Sequence, residues 1–253
     1  MIGLEASGAP RKKPPLLKRS AIFVVELYRG EWGMWRVHYR RYFKAAARAL
    51  GLGFVLAFAF FSLWPGPEQK SLALVMKALK DIPLGASPLD LALTLFYHNA
   101  RASLLAVAAG GLPFLCLPVL DPLVNGAALG LLASASRHHG LNVPLLFLKS
   151  VAPHGIVELP AVLYATSAGL YLSVSLGKRI LTRLREKRDA RHADSSAPPL
   201  GTGTSGFIES CPATADREDG SLTASIVRSF VTIVLPLLFI AAFIEAFITP
   251  LFH

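Results

Sequence analysis

The sequence predicts an all-α, polytopic transmembrane helical bundle of about five spans, with one broken helix and an interfacial N-terminal helix. Composition, apolar run length and the placement of charge all point this way. Of 253 residues, 53% are hydrophobic and only 17% charged, with a mean hydropathy of +0.49, which is too apolar for a soluble domain of this size. Apolar runs recur at about the length that a ~30 Å hydrocarbon core requires. Lys and Arg outnumber Asp and Glu by 26 to 16, a net charge of +10, and they cluster just outside those runs. That is the positive-inside pattern, so the basic excess fits the lipid bilayer as partner and not nucleic acid.

Residues 1–19 are basic and Pro-containing, with Arg11, Lys12, Lys13, Lys18 and Arg19, and predict a disordered cytoplasmic tail. Ala21 to Tyr42 mixes Phe23, Trp32, Trp35, Tyr39 and Tyr42 with Arg29, Arg36, Arg40 and Arg41. Such a mixture suits the headgroup layer; a cytoplasmic helix packed under the bundle satisfies the same amphipathic pattern. The membrane domain, 20–176, then holds spans at 45–64, 91–111, 112–136 and 143–176. Lys44 and Arg48 start the first span, where their stems snorkel to cytoplasmic lipid heads, and Trp64 and Pro65 end it. Glu68 to Ile82 is short and amphipathic and is expected on the outer face. The turn between the second and third spans falls either at Gly110, Gly111 and Pro113 or at Pro118 to Pro122. Arg137, His138, His139 and Gly140 close the third span. Residues 177–224 read as a basic and then disordered cytoplasmic loop, and 225–253 as the last span, with the C-terminus outside.

Polar groups inside the apolar stretches are expensive, so each requires a reason. Asn99 and Arg101 are expected near the outer end of the second span. Val143 to Leu176 is too long for one straight helix, and Pro153, His154 and Gly155 predict its interruption. His154 and Glu158, four apart, share a helical face, with Lys149 little more than a turn upstream. They form either a buried pair facing a cavity or a cap, with Glu158 answering the amides freed at the break. Gly126 and Gly130 have small-x-x-x-small spacing, which allows a second helix to approach closely, and Gly51 and Gly53 can serve the first span similarly. Asn125 is expected to bond across to the broken helix. Glu245 lies about 26 Å along its helix from Arg228, near the outer interface.

Chemistry beyond packing finds little support. His-x-x-x-Glu supplies two ligands only and is not a zinc-hydrolase arrangement, and Cys116 and Cys211 have no metal or disulfide spacing. Gly-x-Ser-x-Gly and phosphate-binding loops are missing. The expectation is a protein that is not an enzyme, with no metal and no cofactor.

The succession F-Y-H-N-A-R-A-S-L-L-A-V-A-A-G-G, then V-N-G-A-A-L-G, then P-H-G-I-V-E-L-P-A-V-L-Y-A-T-S-A-G-L resembles the stage II sporulation protein M family over roughly Phe96 to Leu170. The recurrent positions of that family map to Asn99, Gly110, Asn125, Gly126, Gly130, His154, Gly155, Glu158, Leu159 and Gly169. Ala100 stands where a second Asn often follows the first. The resemblance implies a multi-pass protein of a bacterial or archaeal cell membrane, and the basic residues at the start of the first span predict a cytoplasmic N-terminus. It implies a scaffold that recruits other membrane or envelope proteins, peptidoglycan hydrolases among them, for envelope or septal wall remodelling. A homo-oligomer is compatible with the packing glycines. The alternative is a transport component with Asn99, Asn125, His154 and Glu158 converging on one cavity, since polar residues at helix breaks are typical of transport sites.

Overall fold

A proline removes a backbone donor and its ring meets the carbonyl four residues earlier, while straight-chain and apolar residues favour helix. These preferences account for most element ends in the computed structural model, which describes residues 16–78, 87–195 and 222–252. Among them every regular element is helical and none is a strand. The tail is outside the described residues up to 15, as are 79–86 and the loop 196–221.

The first compact unit, residues 1–37, contains α1 (Leu16–Met34) and the start of a π turn, Trp35–Tyr39. Val24, Val25, Tyr28 and Trp32 are exposed along α1 together with Arg29. Apolar, aromatic and basic groups on one open surface suit the lipid headgroup layer.

The second unit contains α2 (Arg40–Leu63), α3 (Pro65–Ala78), α4 (Pro88–Ala109), α5 (Leu120–His138), α6 (Val143–Leu146), α7 (Ala152–Ser195) and α8 (Leu235–Phe247). A 3-10 turn at Leu117–Val119 precedes α5, and π turns at Phe147–Val151 and Phe230–Val234 precede α7 and α8. Among the described residues, four helical stretches are long and apolar enough to cross a membrane: Val24–Leu63, Leu117–His138, Gly155–Ala190 and Leu222–Phe247. With 22 residues, α4 has the length, but Tyr97 to Arg101 make it less apolar than those four.

Facing pairs give the helix directions. Gly126 lies against Leu50 and Gly130 against Phe54, so α5 runs parallel to α2. Phe147 stacks edge-on against Phe54 while Tyr171 meets His38 and Tyr42, so α7 runs antiparallel to both. Ala106 and Gly110 meet Gly169, and Ser173 Oγ donates to the Leu112 carbonyl, so α4 runs parallel to α7.

Several boundaries differ from those the sequence predicts. The turn between α4 and α5 is the first alternative: Gly110 caps α4, and Phe114 and Cys116 take positive φ (73° and 47°). Pro118 and Pro122 instead occupy opening turns, where a missing donor costs nothing. Gly140, at φ 71°, lets the chain leave α5 at the predicted place. Pro153, His154 and Gly155 lie inside α7, and the departure from α geometry comes earlier, as the π turn Phe147–Val151. Widening the ladder there relieves the clash between the Pro153 ring and the carbonyl of Lys149. Pro236 stands in the same relation to the π turn Phe230–Val234, two residues beyond its end, and Thr232 Oγ1 donates to the Arg228 carbonyl within it. Nor does the helix end at Leu176. It continues to Ser195 because no proline or glycine follows Gly177 and the basic run is rich in helix formers. At 44 residues α7 is about 66 Å long, more than twice the thickness of a hydrocarbon core.

Candidate functional site

Small residues decide where the helices touch. Along α5, Pro122, Gly126 and Gly130 recur every four residues and are buried. A methyl at Gly126 would lie 2.8 Å from the Leu50 carbonyl carbon, and one at Gly130 would lie 2.9 Å from the Phe58 backbone nitrogen. Gly53 answers from α2, against the backbone of Leu123 and Ala127, while Gly51 is exposed and touches nothing. A second close contact joins Gly110 of α4 to Gly169 of α7, with Pro118 3.1 Å from where a Gly169 methyl would sit. Gly155 is buried but has room, the nearest neighbour being Val151 Cγ1 at 3.5 Å. Five small residues therefore hold backbones together, in the way membrane helices associate when lipid supplies no hydrophobic contrast.

The polar residues singled out from sequence are distributed differently. Asn99 is partly buried, while Arg101 is exposed on α4, and Tyr97 (64% exposed) and His98 open onto the same side. Because α4 begins at Pro88, Arg101 lies about 20 Å along it. The opposite side of α4 packs inward, Phe96 meeting Phe239 edge-on at 5.7 Å. Asn125 is partly buried and forms no side-chain hydrogen bond among the described residues, so the expected bond across to α7 is not made. One residue before Gly126, it is turned about 100° from the face that meets α2. Lys149 is exposed in its π turn. Glu158 is partly buried within α7 and has a partner, and the helix runs unbroken through Pro153. The side chains of Ser150 and His154 are outside the described residues. Glu245 is partly buried and accepts from Thr249 Oγ1 at 2.7 Å.

Two polar groupings escaped the sequence reading. Glu68, only 5% exposed, carries one oxygen that accepts from Ser134 Oγ at 2.7 Å and lies 2.9 Å from His138 Nδ1. It fastens the first turn of α3 to the end of α5, and Ser62 of α2 joins at 3.5 Å. At the other end of the bundle, Tyr39 is fully buried, edge-on to Tyr164 and Tyr171, with its hydroxyl 3.5 Å from Ser229 Oγ. Neither has a spacing signal, because each joins residues tens of positions apart.

Residues 45–250, from α2 through the last helix, match the family described as Stage II sporulation protein M. The chain belongs to that family. No curated protein and no solved structure matches it. The stage II sporulation protein M match takes in both glycine contacts, and the family is one of membrane proteins.

Proposed function

We propose that the protein is a non-catalytic membrane scaffold that recruits partners for cell-envelope or septal peptidoglycan remodelling, with its N-terminus in the cytoplasm and its C-terminus outside. One observation carries the reading. Tyr97, His98 and Arg101 form a polar stripe on the outward side of α4, about 14–20 Å into a 22-residue helix. Ionisable side chains within a bilayer normally face the bundle interior or a water-filled cavity, and an uncovered one costs at least ~2.5 kcal/mol. A transmembrane partner offering a carboxylate or carbonyl acceptor to Arg101 removes that cost. The same side chains pointing outward are poorly placed to line a transport pathway inside a single chain.

On the outer face, α3 offers a second contact. Anchored by Glu68, it presents Gln69, Lys70, Leu74 and Lys77 to its surroundings, Leu74 being 67% exposed. The test is affinity purification from native membranes after photocrosslinking at position 97. Wild-type protein brings down envelope proteins, wall hydrolases among them, and Arg101→Leu loses the crosslink while remaining folded. Substrate flux in vesicles reconstituted with this chain alone, unchanged by Arg101→Leu, would reject the scaffold reading in favour of transport.

A further inference from the structure

Ser103 (1% exposed) and Thr166 (0% exposed) are buried, and neither hydroxyl oxygen has a hydrogen-bond partner, nor does one carboxylate oxygen of Asp121. Helical serines and threonines usually discharge a hydroxyl on the carbonyl four residues back, as Ser167 does on Leu163 in the next position of α7. Unpartnered polar atoms within an apolar bundle carry a desolvation cost and call for an explanation.

The three share a level in the bundle. Gly169 of α7 meets Ala106 of α4 and Pro118 of the 3-10 turn that leads into α5, a three-way contact. Ser103 lies one turn before Ala106, on the buried stripe Ser103, Ala106, Val107. Thr166 lies one turn before Gly169, on the face that continues to Ser173 and its bond to Leu112. Asp121 lies one turn after Pro118. Since α4 and α7 are parallel and α5 opposes them, all three steps go the same way along the bundle. Asn99 and Asn125 follow one turn further on the same faces of α4 and α5.

We infer that Ser103, Asp121 and Thr166 form a binding site for a small monovalent cation of the sodium type at the meeting point of α4, α5 and α7. The donors are all oxygens, which suits a hard cation. One carboxylate against one positive charge leaves the site neutral, the condition under which burial within lipid is least costly. The ion would cross-brace the three helices, and the inference is independent of the scaffold reading, because a structural ion need not be transported.

The experiment uses the purified full-length chain in detergent, comparing thermal unfolding and ²²Na⁺ binding in sodium chloride and in choline chloride of equal ionic strength. Saturable ²²Na⁺ binding and a melting temperature raised by sodium but not by choline are expected. Thr166→Val keeps the side-chain shape and deletes an unpartnered hydroxyl, so in choline it should melt no lower than wild type. In sodium it should lose affinity by about tenfold or more, as should Asp121→Asn. Potassium matching sodium, with choline inert, also supports a monovalent site. Equal melting of the wild type in sodium and choline, or undiminished ²²Na⁺ binding by Thr166→Val, overturns the inference.

Discussion

Gly126→Ala isolates what close backbone approach contributes. The added methyl would lie 2.8 Å from the Leu50 carbonyl carbon and 3.0 Å from the Phe54 backbone nitrogen. Carbon atoms rest about 3.5–4.0 Å apart, and the obstructing atoms are main chain, so α2 and α5 must separate by roughly 1 Å. Overpacking of this kind costs about 1–3 kcal/mol. Alanine also favours helix over glycine by about 1 kcal/mol, which would mask part of the loss. Gly155→Ala supplies the reference: its methyl meets only Val151 Cγ1, at an ordinary 3.5 Å, and it gains the same helix preference. The propensity gain cancels in the difference, which leaves Gly126→Ala less stable than Gly155→Ala by about 1–3 kcal/mol. Reversible unfolding in mixed micelles, followed by circular dichroism, measures it. If the two variants unfold together, the close approach of α2 and α5 contributes nothing and the packing account is wrong.

Other perturbations test the anchor and the π turns. Glu68→Ala strips the shared acceptor from Ser134 and His138, and hydrogen bonds to a charged group contribute about 1.5–3 kcal/mol. Amide exchange over residues 68–77 should accelerate accordingly, with Glu68→Gln intermediate because it retains one acceptor oxygen; unchanged exchange would mean that α3 is held by something else. Pro153→Ala and Pro236→Ala each restore a donor and remove a ring, so the ladders at Phe147–Val151 and Phe230–Val234 should relax toward regular α geometry. Slower exchange of those amides supports the proline origin of the π turns, and no change in either variant rejects it.

Local rules carried the sequence reading as far as local rules reach. Gly126 and Gly130 advertise a contact because small residues four apart leave a groove, and Gly140 marks an exit because a left-handed φ suits glycine. The proline effect at Pro153 was legible in kind but not in form, since a helix can widen by one residue per turn upstream instead of breaking. The charge run after Leu176 changes which solvent a helix can occupy and not whether it is a helix, so α7 passes through the boundary that hydropathy marks. Glu68, Ser134 and His138 were invisible because a buried carboxylate looks like an exposed one until its neighbours are known. Asn125 differs in the opposite sense: its chemistry suggested a bond, and among the described residues its side chain makes none.

The division of labour between small and polar residues follows from the solvent. In water, burying apolar surface would drive these helices together. In lipid the outside is as apolar as the inside, so association falls to close packing and to polar contacts. This chain spends its glycines inward, at Gly53, Gly110, Gly126, Gly130 and Gly169, where backbones meet. It leaves Tyr97, His98 and Arg101 outward, where lipid cannot satisfy them. A bundle already held by its glycines has no need of those polar groups for its own cohesion. Under the scaffold function proposed above, their cost would be recovered when another polypeptide supplies acceptors, a contact that lipid cannot compete for.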